Sequence, residues 1–532
     1  MELRPSFKFD MDGIGQTIQE DAAKHQEAFA VGSLSHAEIL ELLLEEVTRV
    51  DFLRIACPEA LEREELRDAR HTTGPDGQLI PNPAFTPEQA ERLEELNDRK
   101  LTVNQKQMKV IVVDELQKVA KRNRWNLCQN HGFVYLYNGC YWKRLDKDEL
   151  ESFLGKVARK MGVNWIDAKE ATFKRLLLEQ FFSDAQLSRP IPTNGQVLIN
   201  FQNGTLEINK GKHIFRGFNP TDFLTHQLPF AYDPKATAPK WSAFLNEVLP
   251  DVTRQMVLAE FLGHVFVKDR SLKPEKALLL LGEGANGKSV CYEVTYAVFG
   301  GSENVSGYSL ETLSSVERGG SARANIDHKL INYGSELSTR IDPNQAKALI
   351  SGEPIEARQL YQQPYMMEDY AKLMFNCNQL PKDTEQTNAF FRRFIIIPFD
   401  VIISEGKQDK GLAVKIINSE LPGVFNWIMQ GLERYLEQKG HFTDCEAAQK
   451  QLEQYRLESD SVKMFLHDNG YTSCPEQWRA LKELYTDYRA FCIEDGFKPV
   501  QKTNFKKRLI NSGILVDGRI NRVYLKQDSS LL

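Results

Sequence analysis

The sequence predicts a multidomain α/β protein with a central P-loop core built on a parallel sheet, and three observations support this. An apolar run, Ala277–Leu281, enters a glycine-rich loop with the spacing G-x-x-x-x-G-K-[ST], and a helical pattern follows the loop. Further short apolar runs, two of them ending in a polar residue, come later in the chain and are typical of buried strands. The chain has 532 residues, which is too long for one ordinary core.

The glycine-rich loop has the residue types that bind a polyphosphate. Glycine lets the backbone wrap around phosphates with several N–H groups pointing inward, and the next helix presents its positive end. Lys288 is expected to bridge the outer phosphates, and the Ser289 hydroxyl is expected to ligate Mg²⁺. A glycine turn with a chance lysine is the simpler alternative, but the flanking strand and helix favour binding and hydrolysis of ATP. The expected ATP-binding residues are Gly282, Glu283, Gly284, Ala285, Asn286, Gly287, Lys288, Ser289 and Val290.

The bulk composition is that of a globular protein, with 42% hydrophobic and 26% charged residues. The apolar runs are too short to cross a bilayer, and charged and polar residues follow Met1 at once. We therefore expect a cytoplasmic protein with no secretory signal and no membrane partner. Eight cysteines stand singly without zinc-finger or redox spacing, which favours a reducing compartment and argues against a zinc site.

The formal charge of −6 is unevenly distributed along the chain. Residues 1–100 contain 22 acidic and 11 basic side chains, so the rest of the chain is net positive. A basic surface for nucleic acid would therefore be local and would lie outside the first hundred residues.

The sequence patterns divide the chain into five segments. We predict an acidic, mainly helical region over residues 1–100, with a flexible link at 71–87, and a small α+β domain over 101–250. The ATPase core is expected at 251–405, and a helical lid and connector with a helix break at Pro422 at 406–458. Residues 459–532 form the last segment.

The α+β segment before the core has two β-rich parts. Strands are predicted at 132–137 and 140–144 with a turn at Asn138-Gly139, and more strands at 197–233. Basic and aromatic residues interleave around the first pair. We interpret them as a hairpin core with charged rims, in preference to a stacking surface for nucleic acid. One helical pattern then runs from 241 to 267.

The last segment predicts a C-terminal winged helix. Helices are expected at 462–466, 478–495 and 502–512, followed by two short strands with a turn at Asp517-Gly518. The third helix carries four cations that could meet DNA, and a solvated face of a purely structural domain is the open alternative. These cations are Lys502, Lys506, Lys507 and Arg508.

Two strands after the glycine-rich loop end in residues suited to hydrolysis. The first ends at Glu336, a carboxylate that can hold Mg²⁺ indirectly and polarise the attacking water. The second ends at Asn378, whose amide can orient that water beside the γ-phosphate. An ordinary exposed strand end is the alternative for each.

Arg392 and Arg393 stand directly before another apolar strand. An arginine that reaches a neighbour's ATP site stabilises the charge developing in phosphoryl transfer, and such action in trans implies a closed ring. A surface ion pair explains the spacing equally well.

Taken in order, these motifs resemble a known family. The chain is similar to superfamily 3 helicases of the phage and plasmid primase–helicase branch, related to the poxvirus primase–helicase. The resemblance covers about residues 125–530 and is carried by GEGANGKS, INYGSELS, KALISGEPIEAR, KLMFNCNQLP and FFRRFIIIPF, with FLTHQLPFAYDP upstream.

The resemblance implies an AAA+ ATPase core and a homo-hexameric ring that translocates on single-stranded DNA and unwinds forked DNA. It also implies that Lys347 approaches the ATP site from the next subunit, together with Arg392 or Arg393. Residues 354–370 would form a hairpin in the central channel, with Arg358, Tyr361 and Gln362 as candidate DNA contacts. This chain departs from the family here, because the tip Tyr361-Gln362-Gln363 lacks the usual cation.

The main functional hypothesis is therefore an ATP-dependent DNA helicase that replicates a phage, plasmid or integrated mobile element. The alternative is an ATP-switched initiator or loader that binds DNA without processive unwinding. A primase within this chain is disfavoured, because the first hundred residues are few and acidic and only the Asp10–Asp12 pair offers carboxylates of that kind. That region is a candidate contact for a separate primase or replication protein.

Overall fold

Helices form the N-terminal part of the computed structural model, which describes residues 34–74, 76–130, 132–186, 196–209, 211–335, 341–359, 363–380, 387–517, 519 and 521–527. Ser35 begins the first helix with a capping box. A short antiparallel hairpin lies where the sequence predicted a flexible link at 71–87, so that prediction was wrong. The elements are α1 (His36–Glu46), α2 (Phe52–Ala56), α3 (Pro58–Ala69), β1 (His71–Thr73), β2 (Leu79–Pro81) and α4 (Pro87–Asp98).

A helical layer and a three-stranded antiparallel sheet follow. Trp142 is buried and Gly139 has a φ of +95° in the connecting turn, so the interpretation as a hairpin core is confirmed. Ile39 and Leu43 of α1 pack into the same core as Leu116 and Leu154, so one core crosses residue 100. The elements are α5 (Gln105–Arg122), β3 (Asn126–Asn130), β4 (Phe133–Tyr137), β5 (Trp142–Leu145), α6 (Lys147–Met161), α7 (Trp165–Lys169) and α8 (Ala171–Asp184).

A second antiparallel sheet and two helices lead to the glycine-rich loop. The helical pattern at 241–267 is two helices, because Pro250 cannot continue the first and Asp251 caps the second. Phe201 and Trp241 share one apolar core with Leu278 of the loop strand. This core crosses residue 250. The elements are β6 (Val197–Phe201), β7 (Gly204–Asn209), β8 (Lys212–Arg216), α9 (Pro239–Val248) and α10 (Val252–His264).

A five-stranded parallel sheet forms the centre of the described chain, as predicted. Its elements are β9 (Ala277–Leu281), α11 (Lys288–Val298), β10 (Val305–Ser306), α12 (Leu310–Ser314), α13 (Gly319–Ala324), β11 (Ile331–Ser335), α14 (Pro343–Ile350), β14 (Lys372–Cys377), α15 (Asn388–Phe391) and β15 (Phe394–Pro398), with a small hairpin of β12 (Ile355–Ala357) and β13 (Tyr365–Met367). The strand order is β10-β11-β14-β9-β15, so β14 lies between β9 and β11. Val294 of α11 packs with Leu278 and Leu280 on one face, while Leu349 of α14 packs with Leu279 on the other.

A long helix, α16 (Leu412–Glu437), and α17 (Glu446–Glu458) follow the sheet. The predicted break at Pro422 was wrong, because α16 continues through the proline. Both halves bury apolar residues, including Ile416 and Phe425, in the same core, and this packing outweighs the missing hydrogen bond. The helices α10 and α16 cross very closely: a Cβ on Gly431 would lie 2.2 Å from the carbonyl carbon of Ala259.

The C-terminal segment contains three helices and a three-stranded sheet. Its elements are α18 (Ser461–Asp468), β16 (Tyr471–Ala480), α19 (Leu481–Glu494), α20 (Lys502–Asn511), β17 (Leu515–Asp517) and β18 (Arg522–Gln527). The predicted helix start at 478 was wrong, because Trp478 and Ala480 lie in β16 and pair with Tyr524 and Arg522 of β18. None of the helices that the structure describes has both the length and the apolar character needed to span a bilayer.

Candidate functional site

The glycine-rich loop turns sharply between β9 and α11. Gly284, Ala285 and Gly287 have φ angles of +123°, +49° and +87°, and Gly287 stands directly before the helix. Left-handed backbone at closely spaced positions directs successive N–H groups toward one side, which makes an anion-binding concavity at a helix N-terminus. The loop backbone thus has the geometry that the sequence predicted for phosphate binding.

Two glycines of the loop are also required by their neighbours. A Cβ on Gly287 would lie 2.8 Å from Phe244 Cε2 of α9 and 2.8 Å from Val248 Cγ1. A Cβ on Gly282 would lie 2.0 Å from Nδ2 of Asn286 and 2.7 Å from the carbonyl oxygen of Phe399. The loop is therefore held close to α9 and to the end of β15, and no larger residue fits at either position.

Lys288 is the first residue of α11 and only 7% of its surface is exposed. Its Nζ donates to the Gly282 carbonyl and, at 3.2 Å, to Oδ1 of Asn286. Burial lowers the pKa of the Lys288 ammonium. The ammonium is thus held within the turn of the loop, among oxygen atoms, where phosphate oxygens are suitable partners.

Asn286 has a structural role that sequence reasoning did not assign to it. Its Nδ2 donates to the Phe399 carbonyl at 3.2 Å while its Oδ1 accepts from Lys288, and the side chain is buried. The backbone N–H of Ile403 donates to the Ala285 carbonyl at 2.8 Å. The loop is therefore attached to the segment that follows β15 at two points.

The remaining loop residues leave room for a ligand. Glu283, Gly284 and Ala285 are exposed, and the exposed Ser289 follows Lys288 in the first turn of α11, with Val290 half-buried beside it. This donor set, an ammonium, converging N–H groups and an accessible hydroxyl, fits ATP with a Mg²⁺ ion held by the serine. The loop residues predicted to bind ATP thus lie together on one turn, with Glu283, Gly284, Ala285 and Ser289 exposed and Asn286 and Lys288 buried.

The carboxyl ends of the neighbouring strands lie beside the loop. Cys377 of β14 pairs with Leu281 of β9, and its carbonyl accepts from the Gly282 N–H at 3.0 Å. The exposed Asn378 comes next, at the edge where ligands of parallel sheets bind. Ser335 of β11 pairs with Asn376, and Glu336 directly follows it but lies outside the described residues.

Asn376 of β14 is a second asparagine near this edge, and the sequence patterns did not single it out. Tyr333 Oη donates to Oδ1 of Asn376 at 2.9 Å, and burial raises the pKa of this fully buried tyrosine. The Tyr333 ring also meets the Tyr292 ring of α11, with centroids 4.9 Å apart. The bond orients the Asn376 amide two residues before the strand-end Asn378. One signal was available, because an asparagine inside an otherwise apolar strand must find a polar partner.

Arg392 and Arg393 lie at the opposite, amino edge of the sheet. The Arg393 carbonyl accepts from the Ala277 N–H at 2.8 Å, at the start of β9. The strand of five residues from there to the loop spans about 17 Å at roughly 3.3 Å per residue. The structure therefore does not bring either arginine to the phosphate loop of its own chain.

The two arginines have different surroundings. Arg393 is only 8% exposed, and its guanidinium donates to Ser351 Oγ at 2.9 Å and to the Ala389 carbonyl. The Arg392 side chain is 59% exposed, and its Nη2 lies 3.8 Å from a Glu275 carboxylate oxygen. Lys347 is half-buried on α14, the helix on the sheet face away from α11.

The predicted hairpin over residues 354–370 is present as β12 and β13. Ile355 pairs with Met367 and Ala357 with Tyr365 in an antiparallel register. The exposed Arg358 follows β12, and its backbone N–H donates to the Gly320 carbonyl at 3.0 Å. Tyr361 and Gln362 lie outside the described residues.

The four C-terminal cations on α20 do not share one environment. Lys502 and Lys507 are exposed, and Lys506 is half-buried. Arg508 Nη1 lies 3.1 Å from Oδ1 of the buried Asp460, at the start of α18. Arg508 therefore stabilises the packing of two helices, while the exposed lysines face solvent.

Comparison with known proteins finds similarity in the middle of the chain. A family model described as D5 N terminal like matches residues 109–250, and a family of unknown function (DUF5906) matches residues 280–393. A protein of Acanthamoeba polyphaga mimivirus named "Putative helicase L207/L206" is 26% identical over 210 residues. That similarity covers 38% of this chain and 22% of the viral protein, so the chain spans about a fifth of its length.

Among solved structures, the A form apo structure of NrS-1 C terminal region-CTR has a TM-score of 0.43 and 14% identity, covering 75% of this chain and 86% of that one. The apo structure of NrS-1 C terminal region (305-718) has a TM-score of 0.43 and 14% identity, covering 77% and 97%. The chain is thus similar to a D5 N terminal like segment before the loop and, in part, to a viral protein named as a helicase.

Proposed function

We propose that this chain is an ATP-dependent DNA helicase that acts in the replication of a phage, plasmid or integrated mobile element. The single observation that carries the proposal is the loop between β9 and α11, with Lys288 inside the turn and Asn378 on the adjacent strand end. The similarity to a viral protein named as a helicase and to the D5 N terminal like family supports the choice of DNA unwinding.

In this proposal each site residue has a separate role in hydrolysis. The loop N–H groups and Lys288 would hold the phosphates, and Ser289 with Glu336 would hold Mg²⁺, whose charge would offset that of the phosphates. Asn378 orients the attacking water, and Glu336 accepts its proton. Asn376 supports this arrangement because Tyr333 fixes its amide at the same sheet edge.

In a hexameric ring of AAA+ type, the ATP site of each subunit would be completed by residues of its neighbour. Arg392 is the better candidate for action in trans, because its side chain is exposed whereas Arg393 is committed to Ser351 and Ala389. Lys347 is proposed to approach the neighbour's phosphates as well. A head-to-tail contact that closes into a ring places each amino edge beside the next subunit's loop.

DNA would be contacted at two places, the single strand at the hairpin and forked DNA at the C-terminal segment. The hairpin of β12 and β13 would enter the channel and present Arg358, Tyr361 and Gln362 to the strand. We further propose that residues 459–532 form a winged helix, since three helices precede a β17–β18 hairpin, and that Lys502, Lys506 and Lys507 meet phosphates.

An ATP-switched initiator or loader is the second candidate function. The exposed lysines on α20 favour it, because a DNA-binding domain of this kind does not require processive translocation. Strand displacement on forked DNA, measured with and without ATP, separates the two functions. Duplex binding without displacement would favour the loader.

The proposed function is tested by replacing Lys288. The Lys288→Ala variant should lose both ATP hydrolysis and DNA unwinding while keeping its circular dichroism spectrum. Lys415→Ala is the matched control, because this lysine forms an exposed ion pair with Asp409 at 2.6 Å, and such pairs contribute little. Normal unwinding by Lys288→Ala would exclude the assignment.

A further inference from the structure

The sheet of β3, β4 and β5 lies against the β12–β13 hairpin at Tyr365, which pairs with Ala357 at the end of the strands nearest the turn. The Phe133 ring of β4 meets the Tyr365 ring of β13 edge to face, with centroids 4.9 Å apart. The Arg144 guanidinium of β5 lies over the Phe133 ring, 3.4 Å from its centroid. The aromatic pair therefore joins two parts of the chain that are far apart in sequence, and the cation–π contact holds Arg144 against the Phe133 ring within the sheet.

Asp327 connects the same residues through its carboxylate. Tyr365 Oη donates to Oδ2 of Asp327 at 2.9 Å, and Arg144 Nη1 lies 3.7 Å from the same oxygen. The Asp327 side chain is only 6% exposed. A carboxylate so well removed from water needs partners, because its charge is costly to leave unpaired, and Asp327 has Tyr365, Arg144 and also His328, whose Nε2 lies 3.6 Å from Oδ1.

The segment around Asp327 is fixed from a second side. His328 has a φ of +60°, and its side-chain Nε2 lies 3.0 Å from Tyr135 Oη of β4. The backbone N–H of His328 donates to the Asp369 carbonyl at 3.0 Å. Asp327 itself forms an antiparallel bridge with Tyr370. The chain leaving β13 is therefore attached to the same short segment that binds Tyr365.

We infer that Arg144 and Asp327 are positioning residues, through which the sheet of β3–β5 sets the orientation of the β12–β13 hairpin. The hairpin has only two short strands and no other sheet partner among the described residues, so its direction depends on contacts outside its own strands, such as those of Tyr365. In the proposed helicase this contact transmits force between the hairpin on the DNA strand and the domain before the ATPase core. The inference rests on the proposed function for that consequence, but the positioning itself is independent of it.

The chain provides a matched control next to Arg144. Lys143, on the same strand, pairs through Nζ with Glu303 at 3.0 Å, so it also joins β5 to the ATPase core. This contact lies away from the hairpin. Lys143→Ala and Arg144→Ala therefore each remove one cation from β5, and only the second removes the cation beside Asp327, the carboxylate that binds Tyr365 of the hairpin.

The first readout is hydrogen exchange of the intact protein, followed by mass spectrometry, at the backbone amides of residues 355–367. Arg144→Ala should raise the exchange rate there by at least about fivefold, which corresponds to a modest coupling free energy between two sites. Lys143→Ala should leave the exchange rate unchanged. Equal exchange in both variants, whether raised or unchanged, would show that no hairpin-specific contact exists and would overturn the inference. This readout holds even if the protein proves not to be a helicase.

The second readout is the number of base pairs unwound per ATP hydrolysed. Arg144→Ala should lower this ratio by at least about fivefold with its basal ATPase rate and KM for ATP unchanged, since the loop is untouched. If Arg144→Ala fails to fold, Tyr365→Phe is tested in its place, because it removes only the hydroxyl that donates to Asp327. A normal ratio in a folded variant would overturn the inference, whereas absence of unwinding by the wild-type protein would instead count against the proposed function.

Discussion

Nε of Arg393 donates a hydrogen bond of 2.9 Å to the Ser351 hydroxyl, in the interior between β15 and the end of α14. The neighbouring Arg392 has its side chain in solvent. Two adjacent arginines therefore have opposite surroundings, and each leads to a distinct prediction.

Replacing Arg393 should reduce stability. Arg393→Ala removes the partner of Ser351 and of the Ala389 carbonyl, so the free energy of unfolding should fall by about 1–3 kcal/mol. Thermal unfolding at constant protein concentration measures this. A melting temperature equal to that of the wild type would show that the buried hydrogen bonds contribute nothing.

Replacing Arg392 should reduce hydrolysis and leave stability unchanged. If Arg392 acts on the neighbour's ATP, Arg392→Ala should lower kcat by about a thousandfold with little change in ATP affinity. Mixing Arg392→Ala with Lys288→Ala should restore part of the activity, because each supplies what the other lacks. Full activity of Arg392→Ala alone would rule out its role.

The two loop glycines should respond differently to alanine. Gly284→Ala should cost about 1–2 kcal/mol from its φ of +123°, since nothing lies within 4 Å of the added Cβ. Gly287→Ala should cost about 1–3 kcal/mol more, because its Cβ would overlap Phe244 and Val248. Thermal unfolding gives the order, and titration with a fluorescent ATP analogue should show weaker binding for both. A reversed order of stability would contradict the packing of the loop on α9.

Buried histidines should make the protein less stable in mild acid. Burial lowers the pKa of His226 to about 3, whereas the unfolded chain binds this proton near pH 6.5. Stability is therefore fully present above pH 6.5 and declines as the pH falls toward 3, with a loss of about 2 kcal/mol between pH 7 and pH 5.

The substitution His226→Leu tests this assignment. Nε2 of His226 has no hydrogen-bond partner among the described residues, so the substitution should cost little stability at neutral pH. From pH 7 to pH 5, the unfolding free energy of His226→Leu should fall by about 2 kcal/mol less than that of the wild type. An unchanged pH profile would show that His226 is not the titrating group.

The lysines and the arginine of α20 should separate DNA binding from folding. Lys507→Ala should weaken DNA binding similarly for all sequences and reduce the slope of log affinity against log salt by about 1. Arg508→Ala should mainly lower the melting temperature, because Asp460 loses its partner. Filter binding at several salt concentrations distinguishes them. An unchanged salt slope for Lys507→Ala would place the DNA surface elsewhere.

Local patterns predicted much of the central fold. The loop and the strands ending near Asn378 and Pro398 follow from glycine spacing and short apolar runs, and the structure contains them. These features depend on neighbours in sequence, so periodicity and turn residues are sufficient to predict them. The 354–370 hairpin was expected only from the family resemblance, and its two strands are present.

Contacts between distant residues could not be predicted in this way. Trp478 belongs to a strand because it pairs with Tyr524, and Pro422 stays within a helix because the core holds both halves. The environment of Arg393 depends on Ser351 and that of Arg392 on Glu275, and the spacing alone reveals neither contact. The partner of Asn376 is similarly remote, although its need for a partner was visible.

The crossing of α10 and α16 has a mechanical consequence. Leu432 N would lie 2.6 Å from a Cβ on Gly263, just as Ala259 would meet one on Gly431, so the two backbones touch on both sides of the crossing. Helices in such contact cannot slide or rotate on each other without separating. The two helices therefore move as one rigid unit, and any large conformational change must bend the chain at the ends of that unit and leave its length unchanged.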